Sequence, residues 1–83
     1  MIPQKIIIKK VLESLKMASG YGKDEGMIRE MVEALAQEDP GLQEIRDAME
    51  RLHSDSLIRS EKDDEGVVLW YITPKGRAKL NTI

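Results

Sequence analysis

The chain has 83 residues, of which 41% are hydrophobic and 34% charged, with a formal net charge of −2 and no cysteine. A chain this short has room for one hydrophobic core, so we interpret residues 1–83 as a single domain. The lack of cysteine excludes disulfides and thiolate metal sites, and no apolar run approaches the roughly 18 residues of a transmembrane helix or the roughly 7–15 of a signal peptide. We therefore expect a cytoplasmic protein.

Hydrophobic periodicity predicts three helices in the first two thirds of the chain. The first spans about 3–18, with Pro3 in its first turn and an apolar face of Ile7, Ile8, Val11, Leu15 and Ala18. The second spans about 25–36 and follows Asp24, a favourable N-cap. For the third, over about 40–54, Asp39 and Pro40 predict a cap and a first-turn proline, ahead of a stripe formed by Leu42, Ile45, Ala48, Met49 and Leu52.

The pattern changes to that of a β-hairpin after residue 55. Two short apolar runs separated by KDDEG predict a hairpin over about 57–72, and Thr73 with Pro74 predicts the start of a terminal helix over about 74–81. We expect Val68, Trp70 and Ile72 to face the core. The predicted fold class is α+β, mostly helical: three helices, a two-stranded hairpin and a short terminal helix.

Two segments resemble winged helix-turn-helix regulators of the PadR and MarR types. They are AMERLHSDSLIRS, residues 48–60, and WYITPKGRAKL, residues 70–80. The positions that match the family pattern are Leu52, Leu57, Ile58, Trp70, Ile72, Thr73 and Gly76. The chain departs from the pattern at Ser56, where the family more often has glycine. The resemblance covers roughly residues 25–80.

The resemblance implies a small DNA-binding transcriptional regulator that forms a homodimer. Helices 2 and 3 would form the helix-turn-helix, helix 3 would enter the major groove of double-stranded DNA, and residues 59–67 would form the wing. Glutamine can pair with adenine, and carboxylates can accept from cytosine N4, so base reading is chemically possible. The candidate DNA contacts are Gln43, Glu44, Arg46, Asp47 and Arg51 on helix 3, with Arg59 and Lys62 on the wing.

Electrostatics supports an alternative function. Residues 24–65 carry fourteen acidic and five basic side chains, and four of the five residues in EKDDE, 61–65, are acidic. DNA is bound chiefly through Lys and Arg, so an acidic helix 3 and wing favour a protein interaction module that docks onto a basic partner without DNA. Both readings stay open at the level of sequence.

A second candidate surface lies on helix 1 and on the outer face of the hairpin. Ile6 and Met17 are eleven residues apart, so they align on the helix outside its main apolar face. The tentative partner interface comprises Ile6, Met17, Val67, Leu69 and Tyr71. Core packing is the alternative role for these side chains.

Enzymatic and metal-binding readings are disfavoured. The run LHSDS, residues 52–56, places His53 beside two serines and an aspartate, but adjacent helical residues point about 100° apart and cannot converge as a triad. The carboxylates of residues 63–65 lack the alternating ligand pattern of a calcium loop. We therefore predict no catalytic residues, no metal and no cofactor.

Overall fold

The computed structural model describes residues 2–18 and 20–83 of the chain. It contains three helices, an antiparallel two-stranded hairpin and a short terminal helix, which is the predicted order. The elements are α1 (Gln4–Met17), α2 (Glu25–Ala36), α3 (Leu42–Ser54), β1 (Ile58–Lys62), β2 (Val68–Ile72) and α4 (Pro74–Leu80).

The core forms where α1 meets the other three helices and β2. Its members are aliphatic and recur at helical spacing: Ile7, Val11, Leu12 and Leu15 of α1, Ile28 and Val32 of α2, and Ile45, Ala48, Met49 and Leu52 of α3. The polar side chain of Ser14 is fully buried, and its hydroxyl donates to the Val11 carbonyl over 2.8 Å. This local hydrogen bond offsets the cost of burying the hydroxyl near the C-terminal end of α1.

The helix starts follow the sequence signals in two of four cases. Asp24 caps α2, because its carboxylate accepts from the backbone N–H of Met27 over 2.8 Å. Thr73 caps α4 in the same way, through Gly76. The prediction for α3 is wrong: Gly41, with φ of 79°, is its N-cap. The Asp39 carboxylate is instead bound to Arg29 and to the Gly41 N–H, which shapes the loop before α3.

At the start of α1 the proline lies one residue outside the predicted position. Pro3 is the N-cap and the helix begins at Gln4. The Pro3 carbonyl still accepts from the N–H of Ile7 over 3.1 Å, so the proline closes the first turn without contributing a donor to it.

The hairpin register aligns Ile58 with Ile72 and Lys62 with Val68. Trp70 and Ile72 pack against the core as predicted, but Val68 does not, since it is 37% exposed near the tip. Lys23, in the loop between α1 and α2, forms an isolated antiparallel bridge with Trp70 of β2. The two residues exchange both backbone hydrogen bonds, over 3.1 and 2.8 Å. The loop between α1 and α2 thereby covers the edge of β2.

Helix α4 is attached to the base of the hairpin through the carbonyl oxygen of Leu57. The backbone N–H of Thr73 donates to this oxygen over 3.1 Å and its hydroxyl over 3.0 Å. Gly76, one turn later, is buried against the same carbonyl. A methyl group at Gly76 would overlap the Leu57 oxygen and lie 2.9 Å from Cγ1 of Ile72.

Gly76→Ala should therefore destabilise the protein by about 1–3 kcal/mol, because neither the backbone of Leu57 nor the packed Ile72 can move freely away. Urea unfolding measures the change. Gly26→Ala is the matched control: a methyl group there meets only the Asp24 carboxylate, at 3.4 Å, and should stabilise α2 by about 0.5–1 kcal/mol. Equal effects at the two glycines would contradict the close approach of α4 to Leu57.

The turn after α3 explains the significance of Ser56. This serine has φ of 62°, in the left-handed region that glycine adopts without strain. Ser56→Gly should release about 1–2 kcal/mol of backbone strain. Glycine also gives the unfolded chain more conformational freedom, which offsets about 0.4–1 kcal/mol of this. Urea unfolding should therefore show an unfolding free energy that is higher by about 0.5–1 kcal/mol.

Ser54→Gly provides the comparison, because Ser54 is helical and exposed. It should lose about 0.5–1 kcal/mol. A loss of that size at Ser56 as well would show that this serine is not held in the left-handed conformation.

Candidate nucleic-acid interface

The exposed side of α3 is polar and internally hydrogen-bonded. Four of the five residues predicted for the apolar stripe of α3 are buried, and the fifth, Leu42 in the first turn, is 39% exposed. Gln43, Asp47 and Glu50 lie on the side opposite to the buried residues. The amide Nε2 of Gln43 donates to Oδ1 of Asp47 over 2.9 Å, one turn away. The pair presents mixed donors and acceptors suited to base edges, but it lacks a positive charge.

Arg46 lies on the edge of α3 that faces α2, where an acid already binds it. Its Nε donates to Oε1 of Glu25 over 3.0 Å, and the two side chains are 55% and 35% exposed. An ion pair this exposed contributes little, about 0–1 kcal/mol, so a phosphate can compete with it. Glu44, also predicted as a contact, is exposed in the first turn of α3.

Arg59 on the wing is held by two neighbours. Its guanidinium lies 4.3 Å from the centre of the Tyr71 ring, which is its cross-strand partner, and it contacts the carboxylate of Glu61. Stacking on the ring fixes the arginine against the sheet. Lys62, at the end of β1, makes no ion pair within the described residues 2–18 and 20–83.

The acidic tip of the wing is partly structural. One oxygen of Asp63 accepts from the backbone N–H groups of Glu65 and Val67, each over 2.9 Å, and Gly66 turns the chain with φ of 83°. Asp63 therefore forms the turn that reverses the strand. The remaining carboxylates, Asp64 and Glu65, are exposed.

Arg51 lies apart from the other predicted DNA contacts. It lines a groove between α1 and the end of α4, together with Lys5, Lys9 and Lys79. Arg46 and Arg51 thus lie on opposite edges of α3. The structure brings Gln43 together with Asp47, but it directs Arg51 toward α1. Arg59 and Lys62 lie three residues apart on β1, so they point to opposite faces of the hairpin.

The tentative partner residues also separate into two groups. Ile6 and Met17 are exposed on α1, by 43% and 63%. Leu69 and Tyr71 are half-buried within the chain, because they lie over Gly22, where an added methyl group would be 2.7 Å from the Tyr71 hydroxyl. Val67 is exposed beside the wing turn.

Two features of the site were missed by sequence reasoning. The pairing of Lys23 with Trp70 follows from the loop path, and the only local signal was Gly22, which leaves room for the Tyr71 ring. The rings of His53 and Trp70 pack in a T-shaped arrangement, with ring centres 5.5 Å apart and planes at 86°. This contact fixes the wing against the end of α3.

Asp39 fixes the loop that sets the angle between α2 and α3. Its two oxygens each lie 3.1 Å from the Arg29 guanidinium, and one accepts from the Gly41 N–H over 2.9 Å. The backbone hydrogen bond from Gly41, followed by the bond from Arg29, lowers the pKa of this carboxyl below its usual 3.8.

The described part of the chain shows neither a membrane-crossing helix nor a group of three or more side chains able to hold a metal ion. The helices between residues 2 and 83 are too short or too polar to span a bilayer. No cluster of His, Asp or Glu with metal-binding geometry occurs in residues 2–18 and 20–83.

Helix α2, the α2–α3 turn, α3 and the hairpin form a winged helix-turn-helix, which confirms the predicted fold. The chain is similar to the crystal structure of a transcriptional regulator of the MarR family from Silicibacter pomeroyi, with a TM-score of 0.75 and 25% sequence identity. The similarity covers 93% of this chain and 47% of that chain, so the chain spans about half the length of that regulator. No family model and no curated protein sequence matches.

The lowered pKa of Asp39 predicts an acid-dependent contribution to stability. Its stabilising effect is fully present above pH 3.8 and is lost as the pH falls through the lower pKa of the folded state. Asp39→Asn should reduce the unfolding free energy at neutral pH, and its difference from the unsubstituted protein should shrink toward about pH 2. Urea unfolding over this pH range measures the difference.

Asp64→Asn is the control. It changes the net charge as Asp39→Asn does, but Asp64 lies at the wing turn, far along the chain from Gly41 and Arg29. A difference between Asp39→Asn and the unsubstituted protein that stayed constant down to about pH 2 would contradict the role of the ionised carboxylate.

Proposed function

We propose that this chain is a winged-helix transcriptional regulator that binds double-stranded DNA, with α3 in the major groove and the hairpin as the wing. The observation that carries the proposal is the exposed polar side of α3 followed by an antiparallel hairpin, in a fold similar to a MarR-family transcriptional regulator. The proposed base-reading residues are Gln43, Glu44 and Asp47, and the proposed phosphate contacts are Arg46, Arg59 and Lys62.

Arg51 would contact phosphate only at the edge of this surface. Its side chain lines the groove beside α1, and a duplex would have to reach past the end of α3 to meet it. We therefore assign Arg51 a smaller part in DNA binding than Arg46 or Arg59.

Affinity for DNA is limited by acids that already hold the arginines. Arg46 must leave Glu25, and Arg59 must leave Glu61, before either can neutralise a phosphate. Exchange of one exposed partner for another changes the free energy little, so binding should be weak at physiological salt. A low-affinity regulator gains specificity when two copies bind two half-sites, which supports a homodimer as part of the proposal.

Dimerisation through α1 meets an electrostatic obstacle. Ile6 and Met17 offer exposed apolar surface, but a symmetric contact would bring Lys5, Lys9 and Lys16 of one copy close to the same lysines of the other. Light scattering on the protein used for DNA titration reports the oligomeric state directly.

The alternative function is an acidic docking module for a basic protein. The pairing of Arg46 and Arg59 with carboxylates favours it, since the surface then presents mainly uncompensated acids. Under this alternative, random-sequence duplex DNA would not bind even at low salt.

The test is a fluorescence anisotropy titration of duplex DNA at several salt concentrations. Arg46→Ala, Arg59→Ala and Lys62→Ala combined should weaken binding and reduce the slope of log K against log salt by about 2.7, or 0.9 for each lost phosphate contact. A second triple variant, with Lys5→Ala, Lys9→Ala and Lys16→Ala, loses the same charge from α1. Its slope of log K against log salt should be larger than that of the first triple variant, because it keeps the proposed phosphate contacts. The reverse ranking would place DNA on the α1 side.

A gain-of-affinity variant distinguishes a direct phosphate contact by Arg59 from the effect of a change in net charge. Glu61→Gln frees Arg59 and should strengthen DNA binding about two- to fivefold. Glu33→Gln carries the same charge change on α2 but sits outside every ion pair found in the described residues, so it should gain less. An equal gain in both variants would contradict a direct contact by Arg59.

A further inference from the structure

A long groove runs along α1 on the side opposite to the exposed face of α3. One end has a volume of about 550 Å³ and lies between α1, the end of α3 and the residues after α4. Past Lys9 and Ile83, which line both parts, it continues into a recess of about 540 Å³ beside Lys16 and Met17. We call the two parts together the α1 groove.

The floor of the α1 groove is apolar. Leu52 and Leu57 are buried beneath it, Ile8 is half-buried, and Ile6 is exposed at its side. The apolar surface that stays accessible here comes from Ile6, Ile8 and Ile83, which lie over these two leucines. An apolar floor of this kind favours an apolar occupant.

The walls of the α1 groove are basic. Lys5, Lys9, Arg51 and Lys79 surround the end next to α3, and Lys16 lies at the opposite end. Within residues 2–18 and 20–83 none of these five makes an ion pair. Of the two acids on the walls, Glu13 is bound by Lys10 over 3.4 Å, which leaves Asp55 as the main counter-charge.

We propose that the α1 groove binds an amphipathic helix with acidic flanks, contributed by a partner protein. The groove follows α1 from Lys5 to Met17, twelve residues or roughly 18 Å, which is the length of about three helical turns. Apolar residues at i, i+3 or i+4 and i+7 of the partner helix would lie on the floor. Glutamate or aspartate on its flanks would pair with the basic walls.

Charge and shape favour this occupant over the other two available. A second copy meeting the groove symmetrically would place lysines against lysines. Duplex phosphates would gain from the walls but not from the apolar floor. The groove also lies behind α3, since α1 packs on the buried side of that helix, so the proposed partner and DNA would occupy surfaces that meet only at Arg51.

The probe is a synthetic, capped helical peptide of three to four turns with leucines at i, i+3, i+4 and i+7 and glutamates on both flanks. Its binding to the full chain is measured by fluorescence anisotropy, with three comparison peptides: one with lysines replacing the glutamates, one with the same composition but scattered leucines, and one with both changes. No DNA is present, so failure here is separate from failure of the proposed function.

Charge reversal in the protein provides the decisive comparison. Lys5→Glu with Lys9→Glu should weaken binding of the glutamate peptide by about tenfold or more and strengthen binding of the lysine peptide. Lys23→Glu is the control, because Lys23 lies in the loop bonded to Trp70 and outside the groove. Lys5, Lys9 and Lys23 are not buried, and circular dichroism checks that each variant keeps its fold.

Ile6→Ser tests the apolar part of the site independently of charge, and it should weaken the amphipathic peptide but not the one with scattered leucines. Three results would overturn the proposal. They are equal binding of the amphipathic and scattered peptides, an equal effect of the groove and Lys23 variants, and a self-association through the groove that the peptide does not displace.

Discussion

The carbonyl oxygen of Leu57 is the point at which the second half of the molecule is assembled. It accepts from the backbone and the hydroxyl of Thr73, while Gly76 lies against it. These contacts close the base of the hairpin and start α4 in the same place. Because Leu57 follows directly after the left-handed turn at Ser56, the direction of the wing relative to α3 depends on this one junction. The His53 contact with Trp70 then holds the wing at that angle.

Charge separates the molecule into two surfaces with different chemistry. Acids on α2 and the wing bind two of the candidate DNA-binding cations, Arg46 of α3 and Arg59 of β1. The basic side chains that line the α1 groove have no such partners in the described residues, and they surround apolar surface. On the first surface an anionic ligand must displace the carboxylates that already bind the arginines. On the second it meets unpaired cations and is attracted without such competition.

The loop between α1 and α2 shows how a small domain protects its sheet. A two-stranded hairpin is marginal alone, and its edge invites pairing with another chain. Lys23 occupies that edge at Trp70, and Gly22 lets the Tyr71 ring lie close to the loop. Tyr71 in turn supports Arg59 on the wing. The loop thus links the edge of the sheet to a residue proposed to touch DNA.

The sequence by itself determined the order and type of the elements, because periodicity and caps such as Asp24 and Thr73 are local signals that a helix or strand must obey. It also marked Ser56 as a departure at a turn. Only the tertiary structure decided the start of α3. The sequence predicted that Asp39 caps this helix, but the Asp39 carboxylate binds Arg29 of α2 and Gly41 is the N-cap. The direction of Arg51, the pairing of Arg46 and Arg59, and the α1 groove were likewise decided by folding, since each depends on which distant side chains are brought together.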